Sequence, residues 1–141
     1  MKKTLKSTLS IVLSLLFLLC LVSCNNASSA DVWESATYKT DTELGSGAKT
    51  LVVEVKVNEH IVTFTIKTDK DTVGDALIEH NLISGEDGAY GMYVKVVNGM
   101  TADYDIDKTY WLFYINGEYG MTGVDTTEIT EGYVYQLVYT K

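Results

Sequence analysis

Three aspartates with regular spacing are the clearest candidates for metal chemistry. Asp103, Asp105 and Asp107 follow the pattern Asp-x-Asp-x-Asp. Carboxylates in a flexible loop are the hard oxygen ligands that Ca²⁺ prefers, and this spacing is the first half of a calcium loop. The pattern then departs, since Lys108 stands where glycine is needed and Tyr114 where a bidentate glutamate is needed. A calcium-binding surface loop and a solvated acidic turn both remain open.

Catalytic chemistry has few candidates. The two histidines, His60 and His80, have no serine or aspartate at the spacing of a nucleophile elbow. No glycine-rich loop has the spacing that cradles phosphate groups. Both cysteines, Cys20 and Cys24, lie near the N-terminus, so the body of the chain has none for a metal site. We therefore expect a protein that is not an enzyme.

Aromatic side chains give the strongest functional signal. Tyrosine and tryptophan present flat apolar faces with polar tips, which suits small-molecule pockets and interfaces. The predicted ligand-binding residues are Tyr90, Tyr93, Tyr110, Trp111, Tyr114, Asn116, Tyr119 and Met121. The alternative is a tyrosine-rich sheet that only faces water.

The segment Tyr110–Ile115 is the element around which these residues are organised. Its six residues are strand formers, and alternation puts Trp111 on one face and Tyr114 on the other. Asn116-Gly117 follows, and this pair tolerates positive φ at both central positions of a type I′ turn. The sequence therefore predicts a hairpin with aromatic residues on both faces.

Alternating apolar residues and capping signals predict the remaining elements. Thr72 is a good N-cap with Asp75 three residues later, which predicts a short helix. Residues 84–88, Ser-Gly-Glu-Asp-Gly, are predicted to form a loop. Period-2 patterning predicts further strands at residues 51–57, 61–67, 89–97 and 133–140. The predicted fold is α+β and β-grasp-like, with a mostly antiparallel sheet of about five strands crossed by one helix.

The N-terminus predicts export and a lipid anchor. A basic start and an apolar run at residues 9–22 are typical of a signal peptide over residues 1–23. The apolar run is too short to span a bilayer. Leu21-Val22-Ser23-Cys24 resembles the lipobox of bacterial lipoproteins, which implies an acylated Cys24 and a protein on the outer face of the bacterial cell membrane. Residues 24–50 are polar and are predicted to be a flexible tether, leaving residues 51–141 as one domain.

Charge narrows the range of partners. The chain carries 11 basic and 19 acidic residues, with a net charge of −8. Loss of Lys2, Lys3 and Lys6 with the signal would leave eight basic residues and a net charge near −11. We expect no nucleic-acid binding, because counterion release needs a basic surface. The membrane would be contacted through the lipid, since anionic headgroups repel such a body.

Several runs of residues together resemble the transcobalamin-like C-terminal domain of bacterial surface lipoproteins. This domain is similar to the smaller domain of intrinsic factor and transcobalamin, the animal carriers of cobalamin. The Trp111 strand with its Asn116-Gly117 turn and the segment Gly120-Met121-Thr122-Gly123 are the parts carried over to a ligand site. The runs lie at residues 71–77, 88–93, 110–117, 121–124 and 131–135.

The resemblance implies a β-grasp-related fold whose relatives bind soluble ligands, with cobalamin or a related corrinoid as the candidate. The animal carriers use a larger helical domain to close over cobalamin, and we expect no such domain in this sequence. The expected function is a membrane-anchored, extracytoplasmic binding module. The alternatives are a module that binds a cell-surface protein through an exposed edge strand, and a calcium-binding surface domain.

Overall fold

The computed structural model describes residues 31–141. The predictions of a signal peptide at residues 1–23 and an acylated Cys24 lie outside the described residues. Within residues 31–141, no helix is long and apolar enough to cross a membrane.

The described part of the chain contains nine strands and three short helices, joined by loops. The helices are a 3₁₀ helix (Val32–Ser35), α1 (Val73–Glu79) and the one-turn α2 (Tyr104–Asp107). The strands are β1 (Thr42–Gly45), β2 (Lys49–Val57), β3 (His60–Thr68), β4 (Ile83–Gly88), β5 (Gly91–Val97), β6 (Met100–Thr101), β7 (Tyr110–Ile115), β8 (Glu118–Tyr119) and β9 (Val134–Thr140).

The strands form two open sheets. The larger has the order β1-β3-β2-β9-β7-β8, and the smaller has the order β4-β5-β6. The predicted α+β class is confirmed. The main sheet has six strands where about five were predicted, and it is mixed, because β1 pairs with β3 and β9 pairs with β2 in parallel. The helix α1 joins β3 of the large sheet to β4 of the small one.

The core lies on one face of β2 and β3. Leu51, Val53 and Val57 on β2 are fully buried, as are Phe64 and Ile66 on β3. Their neighbours in sequence point outward, so the predicted alternation is confirmed. Burying such side chains stabilises the fold by about 1.5–3 kcal/mol each.

Two predictions of local geometry are also confirmed. The Thr72 side chain caps α1 by accepting a hydrogen bond from the Asp75 N–H at 3.2 Å. Asn116 and Gly117 have φ values of 50° and 81°, as a type I′ turn requires. This turn joins β7 to β8 and so sets the place of Tyr119 beside Tyr114.

The predicted loop at residues 84–88 is wrong, because these residues form most of β4. Ser-Gly-Glu-Asp-Gly has low strand propensity, but the backbone pairs with β5 along its length. The register shifts between Ser84 and Gly85. Pairing with a neighbouring strand therefore outweighs the local preference.

The predicted tether at residues 24–50 needs a correction for its described part. Residues 31–50 contain the 3₁₀ helix, all of β1 and the start of β2. Trp33 is only 7% exposed and stacks on His60 with ring centroids 4.5 Å apart. The contacts of a buried aromatic ring and a paired strand outweigh the conformational entropy that a polar segment loses when it is ordered. The folded domain therefore includes residues from Asp31 onward.

Candidate functional site

A groove of about 600 Å³ opens beside the tip of the β4–β5 hairpin, and we call it the aromatic groove. One side is the hairpin, and the other is β7, Tyr119 and the loop that follows β8. The lining residues are Gly88, Ala89, Tyr90, Gly91, Met92, Tyr93, Val94, Trp111, Phe113, Tyr119, Gly120, Met121, Thr122, Gly123, Val124 and Leu137.

The rim of the aromatic groove is unusually apolar for a surface exposed to water. Tyr90 is 94% exposed, Met121 is 89% exposed and Tyr119 is 60% exposed. Single exposed apolar side chains need no explanation, but a group of them around a concave surface is typical of a binding site.

Trp111 and Phe113 form the floor of the groove, and both are held by specific contacts. The Trp111 Nε1–H donates to the Lys95 carbonyl at 3.2 Å and so ties β7 to the small sheet. The Phe113 ring stacks on Tyr135 with an interplanar angle of 3°. Gly120 passes over Phe113 so closely that a Cβ would lie 2.6 Å from its ring. These contacts hold both side chains of the floor in place.

Asp125 locks the two walls together. Its Oδ1 accepts a hydrogen bond from the Met92 N–H at 3.0 Å, which joins the loop after β8 to the β4–β5 hairpin. A Cβ on Gly91 or on Gly123 would lie 2.6 Å from this oxygen, so a larger residue at either position would displace the Asp125 side chain. Gly91 also has a φ of 108°, which favours glycine.

The first turn of α1 supports the same loop. The Val73 N–H donates to the Thr127 carbonyl at 2.9 Å, and the Gly74 N–H donates to the Val124 carbonyl at 2.8 Å. These N–H groups have no partner inside a helix, so the loop satisfies them. The helix therefore positions the wall that carries Met121.

Replacement of Asp125 by alanine should loosen this lock. We expect the free energy of unfolding to fall by about 1–2 kcal/mol, because the Met92 N–H loses a charged acceptor. Amide hydrogen exchange at Met92 and thermal unfolding would measure the effect. The matched control is Asp87→Ala, because Asp87 is an exposed aspartate on the β4–β5 hairpin that carries Met92. Equal behaviour of the two variants would contradict the assigned role of Asp125.

A second depression of about 730 Å³ lies next to the aromatic groove, and we call it the acidic cleft. The two share Tyr93, Trp111 and Tyr119. The cleft is lined by Glu86, Tyr93, Lys95, Asp103, Tyr104, Asp105, Tyr110, Trp111, Leu112 and Tyr119.

Lys95 is paired with carboxylates inside the acidic cleft. Its Nζ lies 2.9 Å from Glu86 Oε1 and 3.6 Å from Asp103 Oδ2. The hydrogen bond to Glu86 is the main reason that the pKa of Lys95 is raised, with a further contribution from Asp103. Lys95 therefore stays charged and offsets part of the negative charge of the cleft.

The structure does not bring the three predicted calcium ligands together. Asp103 caps α2, where its Oδ1 accepts from the Asp105 N–H at 3.0 Å. Asp107 accepts from Thr109, whose hydroxyl and N–H lower the pKa of the Asp107 carboxyl. Among residues 31–141, no three acidic, histidine or cysteine side chains are placed to share a metal ion. The alternating aspartates are local helix caps and turn residues, so the calcium site is not supported.

The structure gathers most of the predicted aromatic residues. Tyr90, Tyr93, Trp111, Tyr119 and Met121 all line the aromatic groove.

The other three predicted residues lie elsewhere. Tyr110 lines the acidic cleft, and Tyr114 packs edge-on against Tyr119 with ring centroids 6.1 Å apart. Asn116 has a structural role in its turn, since its Oδ1 accepts from the Val134 N–H at 2.9 Å.

Sequence reasoning missed Met92, Phe113 and Asp125. The apolar character of Met92 and Phe113 could equally have served the core, and Asp125 lies 33 residues from its partner. The signal in the sequence that could have indicated a close backbone approach there was Gly123, two residues before Asp125.

Comparison with known proteins identifies the family model that the chain matches. Residues 70–140, half of the chain, match DUF4430, which is described as a domain of unknown function. No curated protein matches the chain.

Two solved structures are similar to this fold. A candidate metal-binding protein from Ruminococcus gnavus ATCC 29149 is 29% identical, with a TM-score of 0.62 over 67% of this chain and 98% of that one. Haptocorrin in complex with Cbi is 19% identical, with a TM-score of 0.50 over 70% of this chain and 26% of that one. The second match supports the expected transcobalamin-like fold, and the matched part of this chain spans about a quarter of the length of haptocorrin.

Proposed function

Because the chain belongs to the DUF4430 family, whose function its description leaves open, we propose a role from the site itself. The protein is a binding module that captures a soluble ligand in the aromatic groove and does no chemistry. The observation that carries this proposal is the exposed apolar rim of Tyr90, Tyr119 and Met121 around a preformed concave floor.

The groove has the size and stiffness of a ligand site. Its volume of about 600 Å³ lies within the range of small-molecule pockets. The Trp111 and Asp125 hydrogen bonds hold its floor and walls in place before any ligand arrives. A preformed site loses less conformational entropy on binding, which favours affinity.

A corrinoid is the ligand class that we propose. The haptocorrin structure contains Cbi and has the same fold over this region. A large, flat ligand with apolar edges would lie well against tyrosine faces. The aromatic groove is open on one side, so such a ligand would keep part of its surface in water or against a second protein.

We place this module on the outer face of a bacterial cell membrane, held by a lipid on Cys24. The support is the run Leu21-Val22-Ser23-Cys24 after an apolar segment. Each buried CH₂ contributes about 0.8 kcal/mol, so two acyl chains suffice for stable anchoring. Mass spectrometry of the N-terminal peptide should show an acylated Cys24, and Cys24→Ser should move the protein to the soluble fraction. An unmodified, soluble wild-type protein would overturn this part.

Corrinoid binding can be tested directly on the purified protein. Equilibrium dialysis against cobalamin and against Cbi should show saturable retention and a change in the visible spectrum. Tyr90→Ala and Met121→Ala should each weaken binding by about tenfold, since each removes roughly 1.4 kcal/mol of contact. Ile61→Ala is the control, because Ile61 is 55% exposed on β3 and lines neither depression. Absence of retention by the wild-type protein would remove corrinoids as ligands.

A protein partner at the same rim is the second candidate. Exposed Tyr90 and Met121 would suit such an interface. Augmentation at an edge of the large sheet is less favoured, because its edge strands are the four-residue β1 and the two-residue β8. If the partner is a protein, crosslinking through position 90 in cell envelopes should give a defined protein adduct. If the ligand is a small molecule, no such adduct should form and the small molecule should co-purify with the protein.

A further inference from the structure

The chain contains two Asn-Gly pairs, which share a backbone conformation but lie in very different surroundings. Asn98 and Gly99 have φ values of 51° and 80°, and Asn116 and Gly117 have φ values of 50° and 81°. The first pair forms the turn between β5 and β6, and the second forms the turn between β7 and β8. Any difference in their reactivity therefore comes from the contacts around each turn.

An Asn-Gly pair can react within itself, without an enzyme or a cofactor. The glycine nitrogen attacks the asparagine Cγ, and the Cγ–Nδ2 bond breaks as the new N–Cγ bond forms. The Nδ2 group leaves as ammonia after taking up the proton that the glycine nitrogen loses. Water then opens the cyclic imide at one of its two carbonyls, which gives aspartate or isoaspartate. Glycine favours the attack because it has no side chain to hinder its nitrogen.

The contacts of Asn98 protect it from this reaction. The residue is 1% exposed, its Oδ1 accepts from the Tyr38 N–H at 2.9 Å, and its Nδ2 donates to the Tyr38 carbonyl at 2.8 Å. Its own N–H donates to the Leu82 carbonyl at 2.7 Å. Gly99 is covered as well, since a Cβ there would lie 2.6 Å from the Thr37 Oγ1. Reaction at Asn98 therefore requires the N-terminal segment to detach from the domain.

The second pair is open to water. Asn116 and Gly117 are both exposed, and no described atom would lie within 4 Å of a Cβ on Gly117. Among residues 31–141, the Asn116 side chain is hydrogen-bonded only to the Val134 N–H, at 2.9 Å, and this bond is itself exposed. The following strand, β8, has two residues and lies at the edge of the large sheet. Opening of this turn therefore costs little free energy.

We propose that Asn116 is a site of spontaneous deamidation, and that its isoaspartate product releases the wall of the aromatic groove that carries Met121. In isoaspartate the main chain runs through Cγ, so the two-residue turn gains one carbon. The pairing of β7 with β8 then loses its register, and with it the bond from the Gly120 N–H to the Phe113 carbonyl, now 2.9 Å. The effect on ligand binding rests on the proposed function, whereas the modification does not.

Peptide mapping tests the modification against a control within the same chain. Trypsin cleaves after Lys95 and Lys108, so the two pairs fall in separate peptides. In the purified protein, incubated in warm and mildly alkaline buffer, Asn116 should deamidate at least about tenfold faster than Asn98. In urea the protecting contacts are lost, and the two rates should become similar. Equal rates in the folded protein, or no reaction at Asn116 while the sample in urea reacts, would overturn the proposal.

Two variants separate the release of the wall from ageing in general and from the added charge. Asn116→Gly keeps a pair that forms type I′ turns and cannot deamidate, and fresh Asn116→Asp adds the charge on a normal main chain. After incubation, the Gly120 N–H of the wild-type protein should exchange with deuterium at least about tenfold faster than before. Incubated Asn116→Gly and fresh Asn116→Asp should show no such rise. An equal rise in either variant, or none in the deamidated wild-type protein, would contradict the release.

Corrinoid retention by the incubated protein gives the functional readout. Retention of Cbi should fall in proportion to the fraction of isoaspartate at position 116, and incubated Asn116→Gly should keep the retention of its fresh sample. Full retention by the isoaspartate form would overturn the link to the aromatic groove. If fresh wild-type protein retains no corrinoid, the proposed ligand is wrong, and the peptide map and the Gly120 exchange still decide the modification and the release.

Discussion

Replacement of Trp111 by alanine should lower the free energy of unfolding by about 3–5 kcal/mol and weaken ligand binding in the aromatic groove. Trp111 is 9% exposed and packs edge-on against Tyr139 with centroids 5.4 Å apart. It also lines the aromatic groove and the acidic cleft at once. Its removal therefore opens a cavity in the wall that the two share. Urea denaturation and ligand titration on the same preparation would measure both effects.

Trp111→Phe separates packing from hydrogen bonding. It keeps an aromatic ring on the floor but removes the donor to the Lys95 carbonyl. We expect a loss of about 1–2 kcal/mol, with ligand binding largely retained. If Trp111→Ala cost less than about 1 kcal/mol, the residue would not be the link between the two sheets that the structure indicates.

Most of the large sheet could be predicted from the sequence because its strands are patterned. Residues at alternate positions of β2 and β3 are buried, and such a period can be read without knowing any partner. The Thr72 cap and the Asn116-Gly117 turn are likewise local signals. Order within the sheet is a different matter. The parallel pairing of β9 with β2 joins distant parts of the chain, and no local pattern specifies it.

The candidate site was predictable in part for the same reason. Tyr90, Tyr119 and Met121 stand out because they are large and have no place in a period-2 core. Asp125 does not stand out, since aspartate is common in polar loops. Its role exists only once Met92, on a different element, has been placed beside it.

The aspartate series shows how a local pattern can mislead. Alternating aspartates are typical of calcium loops, but aspartate also caps helices and begins turns. The side chains of Asp103 and Asp107 are used in this way, by α2 and by Thr109. Lys108 stands where a calcium loop needs glycine, and this departure correctly argued against a calcium site. Lys108 nevertheless adopts a φ of 67°, a backbone conformation that favours glycine.

The N-terminal segment offers the second prediction with a large effect. Composition favours a tether there, but ring packing and hydrogen bonds hold it to the domain. Trp33 stacks on His60, and Tyr38 packs edge-on against Phe64 with centroids 5.6 Å apart. Asn98, buried and at a φ of 51°, accepts from the Tyr38 N–H at 2.9 Å and donates to its carbonyl at 2.8 Å.

Trp33→Ala should therefore lower the free energy of unfolding by about 3 kcal/mol, whereas a tether residue would cost nothing. Limited proteolysis should also begin to cleave the variant between residues 36 and 48. Glu34→Ala is the matched control, because Glu34 neighbours Trp33 but makes only an exposed ion pair with Lys39. Equal stability of Trp33→Ala and Glu34→Ala would instead support the interpretation of residues 31–48 as part of the tether. A selective loss in Trp33→Ala would mean that few residues separate Cys24 from the folded domain. If Cys24 carries the proposed lipid, that lipid would then hold the domain close to the membrane.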